Sequence, residues 1–110
     1  MESLKDLIKE YFYETLYEAD VVMRSDRDKN ITKITDNMRG VCGITVVTVT
    51  SPAEPIKPKV ERTLLKVKFF QTEKSMKQHL SKMSIDARKI DGVYSFIPIK
   101  VNKVKSRIYR

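Results

Sequence analysis

Apolar side chains recur at intervals of three and four residues in three parts of the chain, and this spacing predicts three helices. The first predicted helix has one apolar face, made of Leu4, Leu7, Ile8, Tyr11, Phe12 and Leu16. The second carries Ile31, Ile34, Met38 and Val41, and the third carries Met76, Leu80, Met83, Ala87 and Ile90. Asn30 is a suitable N-cap for the second helix, and Thr72 or Ser75 for the third.

Four other segments are rich in β-branched residues or alternate between apolar and polar positions, which is typical of strands. The predicted strands cover residues 19–24, 44–50, 61–70 and 93–101. The third contains an alternating run of Leu65, Lys66, Val67, Lys68 and Phe69. This run predicts one buried face and one basic face. Because proline cannot donate a hydrogen bond to a central ladder, Pro98 predicts that the fourth strand lies at a sheet edge.

The connection between the second and third predicted strands contains Pro52, Pro55 and Pro58. Proline fixes one backbone angle and removes a hydrogen-bond donor. The sequence therefore predicts a stiff, exposed connection over residues 51–60 rather than a tight hairpin turn.

After the leading helix, the elements follow the order β-α-β-β-α-β. Residues 41–44 and 90–93 both join a helix to a strand through an apolar residue, a spacer, a glycine and an apolar residue. With this order, residues 19–101 resemble the ferredoxin-like superfold, an α+β fold with a four-stranded antiparallel sheet. The expected organisation is an N-terminal amphipathic helix over residues 1–18, a ferredoxin-like domain over 19–101 and a basic C-terminal extension over 102–110.

The composition favours a single domain that acts by binding rather than by catalysis. The chain has 110 residues, with Cys42 as its only cysteine and His79 as its only histidine. A disulfide within the chain is therefore impossible, and we predict neither a metal site nor a cofactor. His79 is expected on the polar side of the third helix. No run of apolar residues is long enough to predict a transmembrane helix, no secretory signal is evident, and no membrane partner or small-molecule substrate is expected.

Charge is distributed unevenly along the chain. The net charge is +8, yet the first twenty residues hold two lysines against six acids, so that −4 lies there and +12 on the remainder. Such a basic body is expected to contact a polyanion or an acidic protein surface. The residues predicted to make this contact are Lys66, Lys68, Lys100, Lys103, Lys105 and Arg107. If the polyanion is nucleic acid, Phe70 and Tyr94 are the candidates for base stacking.

The apolar face of the first predicted helix is the candidate protein-interaction surface. A four-stranded sheet with two helices on one side leaves its other side open, and an amphipathic helix can cover that side. The helix can dock on its own sheet or cross to a neighbouring subunit, and the sequence leaves both arrangements open. Burial of each large apolar side chain contributes roughly 1.5–3 kcal/mol, which favours docking in either case.

Two further resemblances suggest functions. Residues 24–31, followed by an apolar helix and residues 43–46, resemble an amino-acid-sensing ACT domain, which implies a ligand-sensing regulatory module. Residues 1–10, 22–32 and 43–47 resemble small ferredoxin-like proteins of tailed bacteriophages, several of which are virion components. The sequence thus predicts a non-enzymatic structural or assembly protein of a bacteriophage particle, located in the virion or the host cytoplasm. Its expected partners are other copies or other virion proteins, and the alternative is a small basic nucleic-acid-binding protein.

Overall fold

The computed structural model of the chain describes the backbone of residues 13–108 and the side chains of residues 14–104. Its elements are β1 (Tyr13–Asp26), α1 (Ile31–Val41), β2 (Val46–Val49), β3 (Glu54–Lys57), β4 (Val60–Gln71), α2 (Met76–Arg88) and β5 (Val93–Ile108). The fold is therefore α+β, with two helices and one five-stranded antiparallel sheet in the described part of the chain.

The strands lie side by side in the order β2-β4-β1-β5, and β3 pairs with β4 off this path. All pairs are antiparallel. This order is compatible with a ferredoxin-like arrangement, in which the two β-α-β halves interleave. The edge position predicted from Pro98 is confirmed, because the pairs described for β5 are all with β1.

The predicted helix over residues 1–18 is wrong from residue 13 onward, because β1 begins at Tyr13. One face of β1 is buried at every second position, at Thr15, Tyr17, Ala19, Val21, Met23 and Ser25. Several of these buried residues are small or polar, so the alternation is weaker in the sequence than the helical spacing of Phe12 and Leu16. The predicted helix residues 1–12 lie outside the described part of the chain.

The proline-containing connection is also different from the prediction. Residues Glu54–Lys57 form β3, and a two-residue turn at Pro58 and Lys59 leads directly into β4. Pro55 is tolerated in β3 because this short strand pairs on one side only. Arg27 ties the turn to the end of β1, since its backbone N–H donates to the Lys59 carbonyl at 2.9 Å.

The predicted last strand ended at residue 101, whereas β5 continues to Ile108 and pairs with β1 as far as Tyr13. Most of the segment expected as a basic extension thus belongs to the sheet. Three register shifts interrupt the pairing, and at each of them one residue of β5 has no partner in β1. These unpaired residues are Tyr94, Ile99 and Val104.

Both helices pack on the same face of the sheet and form the core there. Ile34 and Met38 from α1 and Met83 and Ala87 from α2 are buried against the strands. Phe69 is fully buried, with its ring 5.7 Å from that of Tyr17. The opposite face of the sheet has no described element packed on it.

The two helix-to-strand junctions that looked alike in sequence share their backbone conformation. Gly43 and Gly92 have φ angles of 67° and 89°, in the left-handed region that strains other residues. A Cβ atom at Gly43 would lie 2.9 Å from His79 Cε1. A Cβ atom at Gly92 would lie 2.7 Å from Lys29 Cγ. Each connection therefore requires glycine for a conformational and a steric reason.

We expect Phe69→Ala to lower the free energy of unfolding by about 3–5 kcal/mol, because it removes a fully buried ring and leaves a cavity. Ile85→Ala is the matched control, since Ile85 is 49% exposed on α2, and exposed substitutions usually change stability by less than about 0.5 kcal/mol. Urea denaturation followed by circular dichroism measures both. Equal losses for the two variants would contradict the assignment of the core.

Candidate protein interface

The face of the sheet opposite the helices, here called the open face, carries a banded pattern of side chains. In β1 it is formed by Glu14, Leu16, Glu18, Asp20, Val22 and Arg24. In β4 it is formed by Arg62, Leu64, Lys66, Lys68 and Phe70. These positions alternate with the buried ones, as the geometry of a strand requires.

One band is an apolar row across three strands. Val22 of β1 lies opposite Leu64 of β4 on one side and opposite Ile97 of β5 on the other. Leu64 is 39% exposed and Ile97 is 55% exposed. Neighbouring residues in register share a face, so the three side chains form one contiguous apolar patch.

A second apolar group lies towards the start of β1. Leu16 pairs with Phe70 of β4, and both side chains are half-buried. Leu16 and Val22 are six residues apart on β1, which corresponds to about 20 Å along a strand. The open face therefore has two separate apolar groups, one near each end of the sheet.

The band between the two apolar groups consists of paired charges. Lys66 Nζ lies 3.2 Å from Glu18 Oε1 and 3.9 Å from Asp20 Oδ1. Lys68 Nζ lies 3.8 Å from the other oxygen of Glu18. These contacts join β4 to β1 across the sheet. Two of the cations predicted to meet a polyanion thus already face carboxylates of their own chain.

The other predicted cations are dispersed. Lys100 is in register with Asp20 on the open face. Lys103 is in register with the buried Tyr17, and its ammonium pairs with Glu73. The hydrogen bond to the Glu73 carboxylate raises the pKa of Lys103. Lys105 and Arg107 belong to β5, but their side chains lie outside the described part.

Of the predicted protein-interaction residues, the structure places Leu16 on the open face. The remaining five precede the described residues: Leu4, Leu7, Ile8, Tyr11 and Phe12. Sequence reasoning missed the row of Val22, Leu64 and Ile97, because no pattern within one strand shows which residues come together across three. The register of the sheet is what brings these three residues together.

The two aromatic candidates for base stacking are far apart. Phe70 belongs to the apolar group near the start of β1, whereas Tyr94 lies at the register shift opposite Arg24 and Ser25. Leu16 and Ser25 are nine positions apart, which corresponds to about 30 Å along a strand. The other aromatic of this segment, Phe69, is fully buried on the helix side. The two rings therefore do not form one platform.

His79 is placed differently from the prediction. Its ring lies against Phe69, with 5.1 Å between the ring centroids. Among the described residues, its Nε2 atom has no hydrogen-bond partner and is shielded from solvent. The sequence does contain the signal, because His79 is three residues after Met76 and four before Met83, on the edge of the apolar side of α2.

The described surface has a shallow polar cleft. This cleft, beside the loop after β1, has a volume of about 380 Å³ and is lined mostly by polar residues, among them Asp28, Lys29 and Asp91. Lys29 Nζ and Asp91 Oδ2 are 2.9 Å apart there. No group of three potential metal-binding side chains converges within the described range. Neither described helix is long and apolar enough to cross a membrane.

Comparisons with protein-family models, with curated proteins and with solved structures found no match to this chain.

Cys42 provides a test of the packing beside α1. Burial, assisted by the charge of Asp86, raises the pKa of the thiol from 9.0 to about 11. A thiol reagent at pH 8 should therefore label the native protein slowly and the urea-unfolded protein rapidly. Equal labelling rates would show that the thiol is not buried.

The same shift predicts a pH dependence of stability. Between about pH 9 and 11 the unfolded state loses the thiol proton and the folded state keeps it, so the free energy of unfolding falls as the pH rises. Lysines and tyrosines also titrate in this range, so the comparison is with Cys42→Ala. The decline should be steeper for the wild type than for this variant.

Proposed function

We propose that this protein is a non-enzymatic structural or assembly component that acts through protein–protein contacts, and that the open face is its contact surface. The observation that carries the proposal is the apolar row of Val22, Leu64 and Ile97, in which Leu64 and Ile97 are exposed. Contiguous apolar residues on a surface are typical of interaction sites, because water contact with them is unfavourable.

The paired charges support a protein partner. Lys66 and Lys68 are about 39% exposed but already face Glu18 and Asp20. A polyanion would have to compete with these carboxylates for the same cations. A protein surface that combines apolar and charged groups can instead cover the whole band pattern without breaking the pairs.

The open face is a better contact surface than the edge of the sheet. β5 presents a long edge, but this edge contains Pro98, Lys100 and three register shifts. Prolines, lysines and bulges are the features that keep edge strands from pairing with another chain. The contact is therefore assigned to the face.

The narrower proposal, that the assembly is a bacteriophage particle, is supported by the sequence resemblance of residues 1–10, 22–32 and 43–47. In that setting, the partners are other copies of the chain or other virion proteins. The location is the virion or the host cytoplasm.

Ile97→Asp tests the face. We expect light scattering of the wild type to show an average mass that rises with concentration to at least twice the 12.8 kDa of one chain. The variant should stay closer to the single-chain mass, because a charge in the apolar row must lose its hydration on contact. Ile85→Asp, on the exposed side of α2, is the matched control and should associate like the wild type.

Circular dichroism confirms that each variant is folded. A wild-type chain that stays monomeric at every concentration, and that binds no protein in a native pull-down, would contradict the proposal. So would an equal loss of association in the Ile97 and Ile85 variants, since that loss would not depend on the open face.

The second candidate is nucleic-acid binding, favoured by the +12 charge outside the first twenty residues. It predicts that affinity falls steeply with salt, and that a double variant, Lys100→Glu with Lys103→Glu, flattens this dependence. We expect instead weak attraction to RNA and DNA at physiological salt. Tight binding that Phe70→Ala or Tyr94→Ala abolishes would overturn this expectation, because base stacking on one ring contributes about 1–3 kcal/mol.

A further inference from the structure

We propose that the open face of one copy binds residues 1–12 of a second copy. This inference rests on the proposed function and names the partner for the face. Its starting point is the place where the described chain begins: Tyr13 continues into Leu16 and its partner Phe70, at one end of the open face. The segment before Tyr13 is therefore joined to the sheet near an apolar group of that face.

The length of the segment fits the spacing of the face. The two apolar groups, at Leu16 and at Val22, are about 20 Å apart along β1. Twelve residues in a helix measure about 18 Å. The sequence predicts a helix for this segment, in which Leu4 and Phe12 are about 12 Å apart along the axis. With the added reach of the side chains at its two ends, one such helix can contact both apolar groups.

The chemistry of the segment also fits the band between these groups. On a helical projection, Leu4, Leu7, Ile8 and Tyr11 share one side. The same projection puts Lys5 on one flank of that side and Glu10 on the other, with Lys9 and Asp6 on the opposite face. The alkyl stems of Lys66 and Lys68 provide apolar contact beneath such a helix, while their ammonium groups stay with the carboxylates.

The sequence at the start of β1 favours a second copy over the chain's own face. Tyr13 is already paired with Ile108, so a segment that covered its own sheet would have to reverse direction just before that residue. Residues 9–14 contain none of the turn-forming residues Gly, Pro, Asn, Asp and Ser. A segment that continues outward avoids the reversal and reaches a neighbour, as in exchange of an element between identical subunits.

Disulfide trapping between two single-cysteine additions tests the inference. Leu4→Cys and Ile97→Cys chains are mixed and oxidised, and the linked peptides are identified by mass spectrometry. We expect a product of twice the chain mass that joins positions 4 and 97. The matched control replaces Ile97→Cys by Ile85→Cys, which has similar exposure, 49% against 55%, but lies on α2. Cys42 is buried, and oxidation of the wild type alone measures how much disulfide linking this native cysteine contributes.

A double variant, Leu4→Cys with Ile97→Cys in one chain, separates the two possible occupants. A link that leaves the mass at that of one chain would overturn the inference, because the segment would then cover its own face. Absence of a 4–97 link, or equal linking to position 85, would overturn it as well. If light scattering still shows association that Ile97→Asp weakens, the proposed function survives these outcomes; if the wild type is monomeric, both fail.

Discussion

From Thr15 to Ser25, every second side chain of β1 is buried under the helices and the others lie on the open face. This strand pairs along its length with β4 on one side and with β5 on the other. Each residue from Thr15 to Ser25 therefore determines which face of the sheet its partner in β4 and its partner in β5 occupy. Because Tyr17, Val21 and Met23 must be buried under the helices, Glu18, Asp20 and Val22 must lie on the open face. A shift of one residue would exchange the two sets and remove the core.

The consequence for function is that the open face inherits its composition from β1. The carboxylates of Glu18 and Asp20 form ion pairs with the lysines of β4. Val22 is in register with Leu64 on one side and with Ile97 on the other. Exposed ion pairs of this kind contribute little to stability, typically 0–1 kcal/mol each. Their importance here is that they divide the face into bands, so that apolar contact is available at two separate places.

Elements with a strong internal period were predictable from the sequence. The spacing of Ile34 and Met38 predicts α1, and the run from Leu65 to Phe69 predicts β4 with its two faces. Asn30 caps α1 as expected, with its side chain accepting from the Thr32 N–H at 2.8 Å. In these segments local preference and tertiary packing agree.

The predictions that are wrong fall where local preference and tertiary packing disagree. In β1, small residues such as Thr15 and Ala19 occupy buried positions, so the alternation is weak. The helical spacing that ends at Leu16 is the stronger pattern, and it predicts a helix there. The β3 turn was missed because three prolines suggested a connection without pairing. The site was only partly predictable: the sequence indicates that Lys66 and Lys68 share one face, but their carboxylate partners lie nearly 50 residues earlier in the chain.

The three unpaired residues of β5 hinder the pairing of further strands at the outer edge of the sheet. Each extra residue bends the strand and breaks the regular row of donors and acceptors at its outer edge. The register shifts therefore obstruct the addition of further strands along that edge, which is how fibrils of unlimited length form. The register shifts thus disfavour strand-by-strand growth of the sheet, which is the route by which exposed edge strands aggregate.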